Sequence, residues 1–259
     1  MTSIVNSMSP SQISALSAKQ IGTLATSDIA ALSSSQAQVL STVQIAALST
    51  SDVASISTTA IGIFNASQLG ALSAKDITAL TSTQLTTGLS TTQVTQLTTS
   101  QVAALTTGQV TTLALNLTTS QIGALTAAQA PGLTTGVLAT LSTGATGQLA
   151  SISAKDFAAF ATAQVNALGT NVTATQIGAL TTAQAPGLSV GTLASLSSTQ
   201  LDAISVKELP SLTTTQVGAL TTTQVSQLTT SQVAALTTSQ VATLISEITT
   251  SQIPFLTNL

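Results

Sequence analysis

An eight-residue repeat runs through almost the whole chain, and it limits the possible folds more than any other feature. The copies that begin at Leu97 and Leu105 read LTTSQVAA and LTTGQVTT, and 29 full octads of this kind can be counted. Position 1 is the leading apolar residue, and position 2 is Ser, Thr or Asn in 27 octads. Position 5 is Gln, Asp or Glu in 25 octads. Any fold must therefore repeat one polar pair and two apolar residues, at positions 1 and 6, every eight residues.

The polar pair has the spacing of a helix capping box, in which the cap and the third helical residue satisfy each other's backbone groups. In the octad at Leu97, Thr98 is the expected N-cap and Gln101 its partner. Leu97 and Val102 stand at the two positions of a hydrophobic staple. Because the next cap follows at Thr106, each helix must be very short. The octad therefore predicts an all-α solenoid of very short capped helices, one per repeat.

Two other arrangements of the octad can be compared with this one. In one continuous helix, apolar residues spaced five and three apart drift by about 80° per octad, so no single buried stripe forms. In a strand, positions 1 and 6 face opposite sides of the sheet. The frequent Thr, Val and Ile nevertheless favour strands. A β-solenoid with two octads per coil stays open as the alternative.

The repeat is continuous enough to predict a single solenoid domain over residues 1–259. From Leu117 a longer unit begins, and the stretch Leu117 to Thr143 recurs as Val172 to Ser198. In both copies a Pro-Gly pair ends one octad, where proline removes a helical donor. The repeat changes register near residues 88, 113–116, 141–151, 168–171 and 244–247.

The composition argues against several classes of partner. Four Lys or Arg and seven Asp or Glu give a net charge of −3, which offers no basic surface for nucleic acid. No apolar run approaches the roughly 20 residues of a membrane-spanning helix, so we expect no membrane insertion. The first 12 residues lack the pattern of a cleavable signal peptide. A surface with so few charges has little mutual repulsion, so we expect self-association.

The sequence predicts no catalytic, cofactor-binding or metal-binding residues. His and Cys are absent, which excludes the usual zinc sites and the common nucleophile arrangements. Most acidic residues occupy position 5, where a carboxylate caps a helix and interacts favourably with its dipole; these are Asp28, Asp52, Asp76, Asp156 and Glu208. An enzyme would need an unexpected cleft around Lys155 or Lys207. Ser153 and Lys155 lack the S-x-x-K spacing of a Ser-Lys mechanism.

The octads LTTSQVAALTTGQV and LTTTQVGALTTTQV, the second at Leu212 to Val225, resemble tandem repeats of very long bacterial surface proteins. Those proteins are described as adhesin-like or haem-utilisation-like. The resemblance implies a secreted or cell-surface location and a structural or adhesive role. His, Cys and Tyr, the main axial ligands of haem, are all absent here, so we expect no haem or other cofactor.

The leading hypothesis is a non-catalytic structural repeat protein of the bacterial cell surface or extracellular matrix. It would self-assemble into a layer, fibre, filament or adhesive stalk, because each octad has too little apolar surface to fold alone. The alternative is a binding module that presents a Ser/Thr-rich face to carbohydrate, ice or a partner protein. A surface glycan is therefore a possible partner, whereas nucleic acid is not expected.

Overall fold

The computed structural model describes residues 3–256, which form 24 α-helices of four to seven residues and no β-strand. The predicted all-α solenoid is therefore confirmed, and the alternative of a β-solenoid is wrong. The chain divides into two compact units, Met1–Leu125 and Thr126–Leu259. The single continuous domain stays a prediction.

The first unit consists of thirteen α-helices and three other short helical turns within its described residues. The α-helices are α1 Pro10–Ala15, α2 Ala18–Ile21, α3 Thr26–Ala30, α4 Ser34–Gln38, α5 Thr42–Ile45, α6 Thr50–Ser55, α7 Thr58–Ile61, α8 Ala66–Gly70, α9 Ala74–Ala79, α10 Thr91–Gln96, α11 Thr99–Ala104, α12 Thr107–Leu113 and α13 Thr119–Ile122. Two 3-10 turns, Ile4–Ser7 and Ala114–Asn116, and a π-helical turn, Gln84–Gly88, complete this unit.

The second unit has the same kind of structure, with eleven α-helices in its described part. They are α14 Thr135–Leu138, α15 Gln148–Ser151, α16 Ala154–Phe157, α17 Thr162–Leu168, α18 Ala174–Ile177, α19 Val190–Ala194, α20 Ser198–Asp202, α21 Thr214–Val217, α22 Thr222–Gln227, α23 Thr230–Ala235 and α24 Thr238–Leu244. The 3-10 turns are Ala130–Gly132, Gly169–Asn171, Ala185–Gly187, Leu209–Ser211 and Ile253–Phe255.

Three octads make one coil of each solenoid. In the first unit α4 packs on α1, α5 on α2 and α6 on α3, so each octad lies over the octad 24 residues before it. In the second unit α24 packs on α21 and α22 on α20, at the same separation of 24 residues. One octad forms one side of a coil, and the chain turns at the residues between helices.

The core is built from positions 1 and 6 of the octads. Val102, at position 6, is completely buried, and the leading Leu97 is 4% exposed. Thr98, Thr99 and Ser100 between them are exposed. Because an octad of this kind has only these two large apolar side chains to bury, its apolar face is covered only when coils lie above and below it.

Prolines at position 7 explain why some octads form a 3-10 turn in place of an α-helix. Proline has no N–H for the i to i−4 hydrogen bond, so the α-helix cannot continue through it. The four octads with this proline contain the turns at Pro131, Pro186, Pro210 and Pro254. Pro10, by contrast, stands at the first position of α1, where the missing N–H costs nothing.

The register changes are coil sides of altered length. The extra residue Gly88 is accommodated in the π-helical turn, where the Leu89 N–H bonds to the Gln84 carbonyl at 2.8 Å. Such turns absorb a one-residue insertion in a helix. The half-length unit at 113–116 replaces a full octad, and its turn packs on α10. One side of a coil can therefore be longer or shorter than an octad while the stacking of the coils is kept.

Candidate functional site: the glutamine ladder

The side chain at position 5 caps the start of its own helix, as the sequence predicts. In all twenty octads with Gln at this position, the Oε1 atom accepts a hydrogen bond from the backbone N–H of position 2, at 2.7 to 3.0 Å. In the octad at Leu97, the Thr98 hydroxyl accepts the Gln101 N–H in return. The predicted capping box is confirmed.

The other end of the same amide joins one coil to the coil beneath it. The Gln101 Nε2 atom donates to the carbonyl oxygens of Leu69 at 2.7 Å and of Leu72 at 2.9 Å. Leu69 lies near the end of α8, and Leu72 leads the next octad. One buried amide therefore caps its own helix and binds the turn at the corner of the preceding coil.

This contact recurs along both units, and we call the set of these amides the glutamine ladder. Its members donate to one, two or three backbone carbonyls of the preceding coil; they are Gln36, Gln44, Gln68, Gln84, Gln93, Gln101, Gln109, Gln121, Gln164, Gln176, Gln184, Gln200, Gln216, Gln224, Gln232, Gln240 and Gln252. The usual sequence separations are 31 and 28 residues. After a half-length unit they fall to 27 and 24, so the contact depends on position in the coil.

The ladder satisfies backbone groups that a short helix leaves unpaired. The last carbonyls of a helix have no partner within it, and a buried polar group without a hydrogen bond costs about 1–3 kcal/mol. With helices of four to seven residues, such groups occur at every corner. The described residues contain no buried side-chain nitrogen or oxygen atom without a partner.

Sequence reasoning identified only the accepting half of this contact. Glu caps a helix as well as Gln does in a capping box, yet position 5 has twenty Gln and one Glu. Only an amide can accept at Oε1 and donate at Nε2. The preference for Gln over Glu was the available signal for a second partner.

Two aspartates at position 5, Asp28 and Asp52, make a different contact with the coil below. Asp28, Asp52 and Asp76 lie on α3, α6 and α9, which stack in consecutive coils. The Thr26 hydroxyl donates to the Asp52 Oδ1 atom at 3.1 Å, and the Ser3 hydroxyl donates to the Asp28 Oδ1 atom at 2.6 Å. A carboxylate cannot donate to the corner carbonyls, so the lower coil supplies the proton in these contacts.

The environment of Asp28 favours its charged form. Its pKa is lowered mainly by the hydrogen bond from the Ser3 hydroxyl, and burial opposes this shift. The backbone N–H groups of Ile4 and Ala25 also lower the pKa. The carboxylate thus connects the first 3-10 turn to α3 by hydrogen bonds, so its role is structural.

The residues considered for catalysis are two surface lysines and a helix cap. Lys155 and Lys207 are exposed, whereas their neighbours Asp156 and Glu208 are buried. The Ser153 hydroxyl donates to the Asp156 carboxylate at 2.6 Å and also accepts the Asp156 N–H, so it serves as a helix cap. Within residues 3–256 no three acidic side chains are grouped to hold a metal ion. No helix in that range is long and apolar enough to cross a bilayer.

Comparison with known proteins supports the repeat organisation. A family model described as the ALTTAQ repeat matches residues 193–230 and, overlapping them, residues 212–246. The matched part contains the six-residue strings ALTTTQ and ALTTSQ. No curated protein and no solved structure matches the chain. These residues therefore form a tandem-repeat region that is similar to the ALTTAQ repeat family.

Proposed function

We propose that this chain is a non-catalytic structural repeat protein that assembles with copies of itself. The observation that supports the proposal most strongly is the use of the buried polar side chains. Every Gln of the ladder is committed at both ends of its amide, to its own helix cap and to the coil below. Within the described residues every buried side-chain nitrogen or oxygen atom has a hydrogen-bond partner, which is what a structural role requires.

The expected setting is the bacterial cell surface or extracellular matrix, where the chain would contribute to a layer, fibre or adhesive stalk. Two features favour this setting. The octads resemble repeats of adhesin-like surface proteins, and the charged fraction of 4% leaves little repulsion between neighbouring copies. The adhesive role and the location both belong to this proposal.

Sedimentation velocity and negative-stain electron microscopy of purified chain test the proposal. We expect species larger than the 25.6 kDa monomer that grow with protein concentration. A single compact 25.6 kDa species at every concentration, up to several hundred micromolar, would contradict it.

A second candidate function rests on the exposed hydroxyls. Thr98, Thr99 and Ser100 at the start of α11 are exposed, and Ser73 is exposed at the start of α9, on which α11 packs. Exposed hydroxyls of this kind would be presented to a carbohydrate, to ice or to a partner protein. A glycan array combined with an ice-recrystallisation assay distinguishes the two functions, because a pure scaffold gives no signal in either.

A further inference from the structure

We propose that two buried acidic residues, Asp76 and Glu208, each bind a calcium ion that joins one coil to the coil beneath it. We call these two residues the acid rungs. Both occupy position 5, where most octads supply a ladder amide. In the proposed sites the ion takes the place of the Nε2 donor and binds the backbone carbonyl oxygens that this donor would bind. Each site lies within one unit, so the proposal does not depend on self-assembly.

The carbonyl oxygens below the acid rungs lack the donors that the ladder supplies elsewhere. A ladder amide in a regular coil donates to the leading residue 28 positions before it. At that separation Asp76 stands above Leu48, and Glu208 stands above Leu180. Both leucines are 5% exposed, and no described group donates to either carbonyl oxygen. A donor or a positive charge is therefore missing at both corners.

The Asp76 carboxylate has an oxygen atom without a donor. The Ser73 N–H and hydroxyl both donate to its Oδ2 atom, at 2.9 and 2.6 Å. Within the described residues nothing donates to Oδ1. Asp28 and Asp52 in the coils below differ, because a hydroxyl of the preceding coil donates to their Oδ1 atoms. At Asp76 a carboxylate oxygen and backbone carbonyls thus have acceptors on both sides and no donor.

The Glu208 carboxylate has no hydrogen-bond or ion-pair partner among the described residues. Even the Ser205 N–H, at the capping position, does not donate to it. On the same side of the coil, Gln184 below and Gln232 above each accept the equivalent N–H at 3.0 Å. Its chain neighbour Lys207 is exposed. A charged group that is more than nine-tenths buried requires a counter-charge or hydrogen bonds, and the protein supplies neither here.

The unpartnered oxygen atoms remain accessible to an ion. Every fully buried side-chain oxygen of the described residues has a hydrogen-bond partner. The Asp76 Oδ1 atom and the Glu208 carboxylate have none, so these atoms must retain contact with solvent, although the two residues are only 6% and 8% exposed. An ion can therefore reach the acid rungs while most of each side chain stays buried.

The donor atoms favour a hard cation. Each site offers one carboxylate and the carbonyl oxygens at positions 6 and 1, which are Ile45 and Leu48 in the first unit and Ile177 and Leu180 in the second. Calcium binds about six to eight oxygen atoms, water included, in flexible geometry, whereas magnesium requires near-ideal octahedral geometry. Aspartate is shorter than glutamine by one methylene, about 1.5 Å, which leaves room for an ion. A site with a single carboxylate should bind calcium with a Kd of about 10⁻⁴–10⁻³ M.

Equilibrium dialysis against radioactive calcium measures the number of ions bound. Asp76→Gln and Glu208→Gln are the test variants, because each removes the charge and supplies the missing Nε2 donor. Each single variant should bind one ion fewer than the wild type, and the double variant should bind two fewer. Circular dichroism checks that the fold is kept. The control Asp202→Gln removes an exposed carboxylate from α20 and should bind as many ions as the wild type.

A second measurement uses the wild-type chain, so it does not depend on how the variants fold. Carbonyl carbon resonances, recorded by nuclear magnetic resonance, report on the oxygen atoms that would bind the ion. Those of Leu48 and Leu180 should shift during a calcium titration, with the half-saturation found by dialysis. The Leu72 carbonyl already accepts the Gln101 amide at 2.9 Å and should not shift. Magnesium at the same concentrations should produce smaller shifts.

The outcomes are distinct. One bound ion lost in each single variant, together with shifts at Leu48 and Leu180, supports the proposal. Absence of binding up to about 10 mM calcium, ten times the weakest expected Kd, overturns it. Binding that is unchanged in the double variant also overturns it, because the ions then bind elsewhere. Resonances of Leu48 and Leu180 that respond to acid and not to calcium would assign the place to a proton and overturn the proposal. None of these results decides whether the chain self-assembles.

Discussion

Replacing Gln101 by Glu separates the two tasks of a ladder glutamine. Glu can still accept the Thr98 N–H, which Gln101 accepts at 2.9 Å. It cannot donate to the carbonyl oxygens of Leu69 and Leu72, which now receive hydrogen bonds at 2.7 and 2.9 Å. The substitution therefore places a carboxylate oxygen about 3 Å from two carbonyl oxygens, in a site where the native side chain is 4% exposed.

The expected loss follows from these two contacts. A buried carbonyl deprived of its hydrogen bond costs about 1–3 kcal/mol. The Leu69 carbonyl keeps a second partner, the Leu72 N–H at 3.1 Å, so its share is near the lower limit. We expect the free energy of unfolding at pH 7, from urea titration followed by circular dichroism, to fall by about 2–4 kcal/mol. The control Gln12→Glu loses no donated bond and should change it by less than about 0.5 kcal/mol.

The pH dependence gives an independent check on the same variant. Burial beside carbonyl oxygens raises the pKa of the new Glu above its unfolded value of about 4.3. A protonated Glu can donate one hydrogen bond again. The stability difference from wild type should thus be small below the unfolded pKa and grow as the pH rises through the folded pKa. Equal losses for Gln101→Glu and Gln12→Glu, or a difference independent of pH, would refute this reasoning.

Four other substitutions test local features by urea titration. Ala161→Ser restores a hydroxyl cap at an exposed position and should stabilise the chain by about 1 kcal/mol, and a loss would show that the cap is not limiting. A Cβ added at Gly108 on α12 meets nothing within 4 Å, so Gly108→Ala should raise the free energy of unfolding by about 0.5–1 kcal/mol. A Cβ added at Gly62 would lie 2.8 Å from a backbone oxygen of the next coil, so Gly62→Ala should lower it by about 1–3 kcal/mol. Equal effects of the two substitutions would contradict the packing. The hydrogen bonds that lower the pKa of Asp28, mainly the one from the Ser3 hydroxyl, stabilise the folded state above pH 3.8. This stabilisation is lost as the pH falls through the folded pKa. Asp28→Asn should therefore be less stable than wild type at pH 7 and approach it in acid, and a constant gap would count against the contact.

Much of the local structure could be predicted from the octad alone. The pair Thr98 and Gln101 indicated where a helix begins, and the next cap, Thr106, indicated where it must end. Both predictions are confirmed, because capping is a local interaction between residues three apart. The burial of Leu97 and Val102 followed from the same spacing.

The arrangement of coils could not be predicted in the same way. The number of octads per coil depends on the angle at each corner, which is set by contacts between residues such as Gln101 and Leu72 that lie 29 positions apart. The Nε2 atom has no partner within its own octad, so the repeat contains no direct sign of where it donates. Gly88 was seen as a change of register, but its π-helical turn follows from the fixed positions of the neighbouring sides.

Side-chain amide hydrogen exchange, measured by nuclear magnetic resonance with assigned Gln side chains, tests most directly whether the glutamine ladder holds coil to coil. The buried amides, for example Gln101 and Gln232, should exchange far more slowly than a free glutamine side chain, because each donates two hydrogen bonds in the core. In monomeric protein at low concentration, Gln12 and Gln20 should exchange at the free rate. Fast exchange of Gln101 and Gln232, at the rate of Gln12 and Gln20, would contradict the ladder.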